Sequence, residues 1–224
     1  MDTRKVIDKN IKDRKLVGLD YINTDYQYVI TTSAWQMIRP SYLVFLNCRI
    51  PVAETPWSEG GIIQAAEVGT AGGINSAIIL KAYSKVFLHL VDSYEYGQSP
   101  EAMLKSVEPY KERTKFHHMT SLEGAKQYPD EFFDYVYIDA AHDYKSVSED
   151  MEAWYPKVKY GGMLSGHDWY DKEVRDAVYN FVTKNPQRLY GVQSYFQEGK
   201  PTPFTHEENM GVDWWFVKRM LEKK

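Results

Sequence analysis

Short apolar runs alternate with longer, helix-like stretches from residue 62 onward, and this alternation constrains the fold more than any other feature. A short apolar run that ends at a glycine or another turn residue is typical of a buried strand. Strands that alternate with helices favour right-handed crossovers and a parallel sheet covered by helices on both faces. The predicted strands are IIQAAEV, VFLHLVD, TKFHHM, FFDYVYID and MLSGHD.

The stretches between these runs contain residues that commonly begin helices. A hydroxyl or carboxylate side chain before a helix accepts a hydrogen bond from a free backbone N–H group of the first turn. In a capping box, a glutamate three residues later accepts a hydrogen bond from the backbone N–H of the capping residue. The predicted helix starts are Asn75 or Ser76, Ser99 with Pro100, Thr120 with Glu123, Ser146 with Glu149, and Asp171.

The C-terminal part departs from the alternation. Gly161 and Gly162 are predicted to turn the chain into the fifth strand, and two more strands follow, around residues 188–196 and 213–218. Because no helix separates these last two strands, we expect them to pair antiparallel as a hairpin. The predicted fold is therefore an α/β domain over residues 61–224, with a mostly parallel sheet. Residues 1–60 are predicted to form a cap over this domain or a dimerisation arm.

Composition excludes several classes of protein. The formal net charge is −4 with acids and bases interspersed, so no clustered basic face for nucleic acid is evident. The apolar runs are far shorter than the roughly 20 residues that a membrane-crossing helix needs. Cys48 is the single cysteine, which excludes an internal disulfide and a multi-cysteine zinc site. With a polar N-terminus that is unlike a secretory signal, the sequence predicts a cytoplasmic protein.

A glycine-rich turn, AEVGTAGGINS, follows the first predicted strand. Gly69 permits a sharp turn, and Gly72 and Gly73 permit a ligand to approach the backbone. The dinucleotide pattern G-x-G-x-x-G is not met, and no phosphate-loop lysine follows. What fits is Glu67-x-Gly69-x-x-x-Gly73, with Asp92 19 residues further on, near the spacing expected for an acid that binds ribose hydroxyls.

These features predict a ligand with a ribose and no requirement for phosphate binding, such as S-adenosylmethionine (SAM). Glu67 would then face the cationic ammonium group of the ligand, directly or through water. The alternative is an ordinary strand-to-helix turn with Asp92 as a helix cap.

A second group of polar residues lies at later strand ends. Asp139 ends the fourth strand, His142 lies in the loop after it, and His167 and Asp168 end the fifth strand. The ends of adjacent parallel strands lie close enough for their carboxylates to share one Mg²⁺ or a similar cation. His142 is predicted to act as a general base, with Asp143 or a backbone carbonyl setting its tautomer. Alternatively, Asp139 is a cap, His142 is solvated, and the His-Asp pair only fixes a loop.

The motifs AEVGTAGGINS, LVDSYEYG, FDYVYIDAAHDYKSVSEDMEAW and KYGGMLSGHDW resemble those of class I SAM-dependent methyltransferases. The resemblance extends over about residues 62–171 and is nearest to the subgroup of macrolide sugar O-methyltransferases and cephalosporin hydroxylase-like proteins. It implies a Rossmann-like, seven-stranded sheet. The implied cofactor-binding residues are Glu67, Gly69, Thr70, Gly73, Asp92, Ser121 and Asp139.

The resemblance also implies a metal site and a base. The divalent ion would be bound by Asp139, His167 and Asp168, and His142 would be the base. This chain has His167 where the macrolide enzymes have glutamate, so its affinity for Mg²⁺ should be lower. His167 therefore either binds an ion such as Mn²⁺ or Fe²⁺, or orients a metal ligand from outside the coordination sphere.

The sequence predicts an O-methyltransferase for a sugar or another small hydroxylated molecule, assisted by Mg²⁺ or Mn²⁺. The alternatives are a metal-independent N-methyltransferase and a non-catalytic module that binds a nucleoside cofactor. Homo-oligomerisation stays open. Four aromatic residues near the predicted strand ends either stack on a sugar ring or only pack: Tyr94, Tyr96, Trp169 and Tyr170.

Overall fold

The computed structural model describes residues 61–97, 99–169, 171–185, 189–191 and 213–218. The predicted N-terminal cap or arm, residues 1–60, lies outside the described residues.

A single sheet forms the centre of the domain, with the strand order β3-β2-β1-β4-β5-β7-β6. Strands β1 to β5 are parallel to one another, and β7 runs antiparallel to both of its neighbours. The predicted mostly parallel sheet with a C-terminal antiparallel pair is therefore confirmed. The strands are β1 Ile63–Val68, β2 Val86–Asp92, β3 Thr114–His118, β4 Phe133–Ile138, β5 Val158–Gly166, β6 Leu189–Gly191 and β7 Trp214–Val217.

Helices cover both faces of the sheet. The helices are α1 Ile74–Ala82, α2 Pro100–Val107, α3 Ser121–Ala125, α4 Tyr144–Trp154 and α5 Lys172–Lys184, with 3₁₀ turns at Glu108–Arg113 and Tyr155–Lys157. Residues of α1 and α2 pack with one face of the sheet, and residues of α3, α4 and α5 pack with the other. None of the helices described is long and apolar enough to cross a membrane.

Two of the predicted helix starts are wrong. Helix α1 begins at Ile74, earlier than predicted, because Gly73 adopts a left-handed φ of 73° and ends the turn there. Helix α4 begins at Tyr144, because Asp143 caps it by accepting a hydrogen bond from the backbone of Ser146. Asp143 thus accepts from the Ser146 N–H group, which Glu149 would have bound in the predicted capping box.

Other helix starts agree with prediction. Thr120 and Glu123 form the capping box at the start of α3. Pro100 occupies the first position of α2, and Asp171 caps α5 by accepting from the backbone of Glu173.

The glycine pair 161–162 lies within β5, not before it as predicted. Gly161 has a φ of 81°, and the β4–β5 register shifts between Phe133 and Tyr135. A Cβ at Gly162 would lie 2.8 Å from the backbone oxygen of Asp134. The pair therefore allows an irregularity in a continuous strand, as glycines inside strands often do.

The strand order reverses between β1 and β4, so the carboxyl ends of these strands open a crevice where ligands bind in such sheets. Val68 pairs with Ile138, and Ile138 pairs with Gly166. The residues that follow these three, Gly69, Asp139 and His167, therefore emerge side by side at one edge of the sheet.

Candidate active site

The glycine turn after β1 lies directly against the end of β4. Gly69 has a φ of 85°, and a Cβ there would lie 2.0 Å from the backbone oxygen of Asp139. The backbone N–H of Asp139 in turn donates to the oxygen of Val68 at 2.7 Å. Only glycine fits this junction, so the predicted cofactor turn and the predicted catalytic acid are adjoining parts of one backbone arrangement.

Glu67 lies beneath the turn and is 2% exposed. Its carboxylate accepts hydrogen bonds from Asn75 Nδ2 at 2.9 Å and from Ser76 Oγ at 2.5 Å, which fixes the first turn of α1. The other polar atom of the Asn75 side chain, Oδ1, is buried without a hydrogen-bond partner among the described residues. An unsatisfied buried acceptor costs about 1–3 kcal/mol, so this atom is suited to a donor group on a ligand.

Asp92 is engaged with the turn. Its Oδ2 accepts from the backbone N–H groups of Thr70 at 2.7 Å and Ala71 at 3.0 Å. Its Oδ1 accepts from the backbone of Tyr94 at 2.8 Å. Asp92 thus joins two loops through their backbone N–H groups, and it is not the helix cap that the sequence left open, since Gly73 and Ser99 occupy the cap positions of the neighbouring helices. Since an ionised carboxylate has about four lone-pair sites, Oδ1 also has capacity for a further donor such as a ribose hydroxyl.

Tyr94 lies across the same turn. Its hydroxyl donates to the backbone oxygen of Ala71 at 3.0 Å and lies 2.9 Å from Thr70 Oγ1. Its ring packs edge-on against Phe116. Burial raises the pKa of Tyr94, so the hydroxyl keeps its proton. The sequence did not indicate this contact, because its spacing does not reveal how the loop after β2 folds back onto the turn after β1.

The four aromatic residues considered for sugar stacking do not form one cluster in the described part of the chain. Trp169 packs edge-on against Tyr179 on α5, away from Tyr94 and its partners. Tyr96 is 86% exposed, and Tyr170 lies outside the described residues.

Ser121 is one of the cofactor-binding residues that the resemblance implies. Its Oγ accepts a hydrogen bond from Trp154 Nε1 at 2.9 Å and also bonds to Asp150, whose pKa burial raises to about 6. The side chain is therefore used within the α3–α4 packing. The backbone N–H of Ser121, at the first position of α3, belongs to the groups that a helix leaves without an intrahelical partner.

Four predicted residues come together beyond the turn: Asp139, His142, His167 and Asp168. Asp168 lies between the two imidazoles, with His142 Nε2 2.8 Å from its Oδ2 and His167 Nδ1 3.0 Å from its Oδ1. His167 Nδ1 also lies 3.7 Å from Asp139 Oδ1. Asp168 is 5% exposed, whereas the side chain of His142 is 48% exposed, so one imidazole faces solvent from a buried support.

Hydrogen bonds within the cluster favour the charged forms of His142 and Asp168. The hydrogen bond to Asp168 raises the pKa of His142, although partial burial opposes the shift. Burial alone would raise the pKa of Asp168, but hydrogen bonds from His142 and His167 hold it well below the usual range. The partner of His142 is therefore Asp168, and the prediction that Asp143 or a backbone carbonyl sets its tautomer is wrong. Asp143 is instead the cap of α4.

A metal ion suits this cluster with a different set of ligands from the predicted one. Asp139, His142 and Asp168 each offer a ligand atom, and these atoms lie within 4.8 Å of one another. Two carboxylates and one imidazole suit Mn²⁺ or a similar ion. In the predicted set His167 stood in the place of His142, but His167 is not among the residues whose ligand atoms lie this close together.

A cleft with about 210 Å³ of open space, part of it continuous with solvent, adjoins the cluster. Its polar wall consists of the four clustered residues. Its apolar wall includes Ile138, Val147, Val174 and Trp214. Apolar surface beside a carboxylate–imidazole pair is a common composition for a small-molecule site.

Comparisons with known proteins identify a matching domain family and similar folds. Residues 66–169 match a family described as "Methyltransferase domain". This segment contains the glycine turn, Asp92 and all four clustered residues. A search of curated proteins found no match.

Several solved structures share the fold. A SAM-dependent O-methyltransferase from Thermotoga maritima has 14% identity and a TM-score of 0.58, over 84% of this chain and 69% of its own. An O-methyltransferase from Bacillus cereus in complex with SAH has 16% identity and a TM-score of 0.53, over 79% of this chain and 88% of its own. A precorrin-6y C5,15-methyltransferase from Geobacter metallireducens has 11% identity and a TM-score of 0.52, over 70% and 79%.

At these identities the structural likeness establishes the fold, and the sequence match identifies the domain. Residues 66–169 thus match the methyltransferase-domain family, and the domain has the fold of class I SAM-dependent methyltransferases.

Proposed function

We propose that this protein transfers the methyl group of SAM to a hydroxyl of a sugar or another small hydroxylated molecule. The observation that carries the proposal is the junction of Gly69 with Asp139, because it sets a turn suited to the methyl donor beside a cluster suited to activating the acceptor. The family match and the O-methyltransferases of the same fold support this reaction class.

The residues of the turn fit the amino-acid end of SAM. The buried Oδ1 of Asn75 can accept from its ammonium group, and the adjacent carboxylate of Glu67 favours the positive charge. A Cβ at Gly72 would meet nothing within 4 Å, so the backbone of the turn is open on that side. Oδ1 of Asp92 is the group proposed to accept from a ribose hydroxyl.

The proposed role of His142 is to remove the proton of the acceptor hydroxyl. When bound, SAM supplies a methyl group on a sulfonium, which is already strongly electrophilic. A neutral hydroxyl is a poor nucleophile until its proton leaves, and a histidine with a pKa near neutrality is suited to take it. Because Nε2–H of His142 donates to Asp168, the atom that accepts the proton is Nδ1. Asp168 orients the imidazole and stabilises the imidazolium that forms.

A second candidate mechanism uses a divalent cation. Asp139, His142 and Asp168 would hold Mg²⁺ or Mn²⁺, and such an ion lowers the pKa of a bound hydroxyl and fixes its direction. The two mechanisms exclude each other at His142. If Nε2 binds the ion, the proton of the neutral imidazole lies on Nδ1, which then cannot act as the base.

Calorimetry and a methyl-transfer assay test the proposal. We expect S-adenosylhomocysteine (SAH) to bind and NAD not to bind, and we expect label from methyl-labelled SAM in hydroxylated rather than amine acceptors. His142→Ala should lower turnover at saturating SAM by about 10²- to 10⁴-fold, the usual contribution of a general base, with SAH affinity little changed. His117→Ala, at a histidine of β3 that bonds to Tyr128 and lies outside the cluster, is the matched control.

The outcomes separate the candidates. Loss of activity in EDTA and its recovery with Mn²⁺ would support the metal mechanism, and indifference to EDTA would support the histidine base. Transfer to amines alone would support the N-methyltransferase alternative. If neither SAH nor SAM binds, the proposal fails.

A further inference from the structure

His167 is held in place by the backbone around it. Its N–H donates to the oxygen of Ile138 at 3.1 Å, and its own oxygen accepts from Trp214 Nε1 at 3.0 Å. The residue is 7% exposed. The backbone of His167 is therefore held between β4 and β7 at the end of β5, and its imidazole is shielded from solvent.

The contact with Asp168 identifies the proton on the His167 ring. Nδ1 lies 3.0 Å from Asp168 Oδ1, which is a hydrogen-bond distance between an imidazole nitrogen and a carboxylate oxygen. An ionised carboxylate only accepts hydrogen bonds, so Nδ1 is the donor. A ring nitrogen that carries a proton has no lone pair for a metal ion. While Nδ1 of His167 donates to Asp168, this nitrogen does not bind a metal ion.

The backbone of Asp168 adopts an unfavourable conformation, which neighbouring hydrogen bonds must hold. Its φ of 56° is left-handed, a conformation that costs a residue other than glycine about 1–2 kcal/mol. Its two carboxylate oxygens are divided between two imidazoles, His167 on one side and His142 on the other. Strain of this kind persists at functional sites where neighbouring contacts hold the residue.

The Nδ1–H group of His167 also lies near Asp139, the second carboxylate of the cluster. His167 Nδ1 is 3.7 Å from Asp139 Oδ1, so one N–H group faces both carboxylates of the cluster. An acid at residue 167 would bring three carboxylates together, and these would repel one another without a cation. The imidazole leaves two acids and two imidazoles, a set that is closer to electrical balance.

We propose that His167 is a positioning residue, whose Nδ1–H holds the Asp168 carboxylate in the orientation that aligns His142. This inference rests on the proposed function for its catalytic consequence, but not for its geometry. It applies to both candidate mechanisms, because a carboxylate that binds a metal also needs an outer hydrogen bond to orient it.

Three substitutions at this position test the proposal. His167→Asn places an amide N–H close to the position of Nδ1, His167→Gln places one further out, near Nε2, and His167→Leu removes the donor. We expect Asn to keep turnover within a few-fold of wild type, and Gln and Leu to lower kcat by about 10- to 100-fold. SAH affinity and the KM for SAM should change little in all three, and thermal denaturation verifies folding.

A double-mutant cycle links the effect to Asp168. His167→Leu should cost no further activity in an Asp168→Ala background, because the group that His167 positions is then absent. Equal activity of His167→Leu and wild type would overturn the proposal, and so would additive losses in the cycle. If the wild-type protein depends on Mn²⁺ and His167→Asn loses both activity and Mn²⁺ binding, then His167 is a metal ligand. This result would also overturn the proposal.

One further measurement does not depend on methyl transfer. In a protein labelled with ¹⁵N-histidine, the Nδ1–H proton of His167 should be protected and shifted downfield, and Asp168→Ala should remove that signal. If wild type neither binds SAH nor transfers methyl groups but shows the signal, the proposed function fails while the contact stands. If wild type is active and the signal is absent, the inference about His167 fails.

Discussion

Gly69→Ala offers a direct test of the junction between the glycine turn and β4. The added methyl group would lie 2.0 Å from the backbone oxygen of Asp139 and 2.7 Å from Cα of Ala140, and the φ of 85° disfavours any L side chain. The left-handed backbone costs about 1–2 kcal/mol, and overpacking against a backbone that must move costs about 1–3 kcal/mol or more. The expected loss in free energy of unfolding is therefore about 2–5 kcal/mol.

For a chain of 224 residues this corresponds to a fall in Tm of roughly 5–20 °C, measured by calorimetry or circular dichroism. Gly72→Ala is the matched control, because a Cβ there would meet nothing within 4 Å. It should melt like wild type and yet bind SAH more weakly, since the added methyl group occupies the open side of the turn. A Gly69→Ala protein with wild-type Tm and SAH affinity would refute the close junction and the reasoning built on it.

Two further predictions concern Asp92 and His89. Asp92→Ala should weaken SAH binding more than acceptor binding, measured by calorimetry and by KM for the acceptor, because the variant loses both the cap on Thr70 and the proposed ribose acceptor; equal SAH affinity would remove Asp92 from the cofactor site. Burial lowers the pKa of His89 to about 4 from its usual 6.5. As the pH falls through 6.5, the unfolded chain therefore binds a proton at this residue that the folded protein does not bind. The folded state loses stability over this range, until the pH reaches about 4. Between pH 7 and 5 the loss from this residue is about 2 kcal/mol, and the difference in urea unfolding free energy between wild type and His89→Gln should shift by that amount; a constant difference across this range would contradict it.

Features of the fold that follow from local patterns could be predicted from the sequence. The apolar runs fixed the strands closely, since burial on both faces of a parallel sheet leaves little choice of residue type. The capping box of Thr120 was recognised because both of its members lie within one helical turn. The start of α4 was missed because Asp143 and Ser146 are both good capping residues and the sequence does not rank them.

The candidate site was predicted as a set of residues, but not as a set of contacts. Strand ends converge by topology, so Asp139 and the pair after β5 could be placed together. The partner of His142 depends on the left-handed backbone of Asp168, which turns that carboxylate towards the loop after β4. A backbone conformation of this kind in an aspartate leaves no mark in a single sequence. The hydrogen bonds of Asp92 and Tyr94 to the glycine turn were hidden for a similar reason, because they join two loops.

The contact of Gly69 with Asp139 has a consequence for how such an enzyme selects its acceptors. Two pieces of backbone this close move as one body, so in the proposed reaction the distance from the methyl donor to the group that accepts the proton would be fixed before any substrate binds. An acceptor would therefore have to fit a constant distance between these two groups. New specificities would then have to arise from the segments that surround the junction of Gly69 with Asp139, while the junction itself stays unchanged.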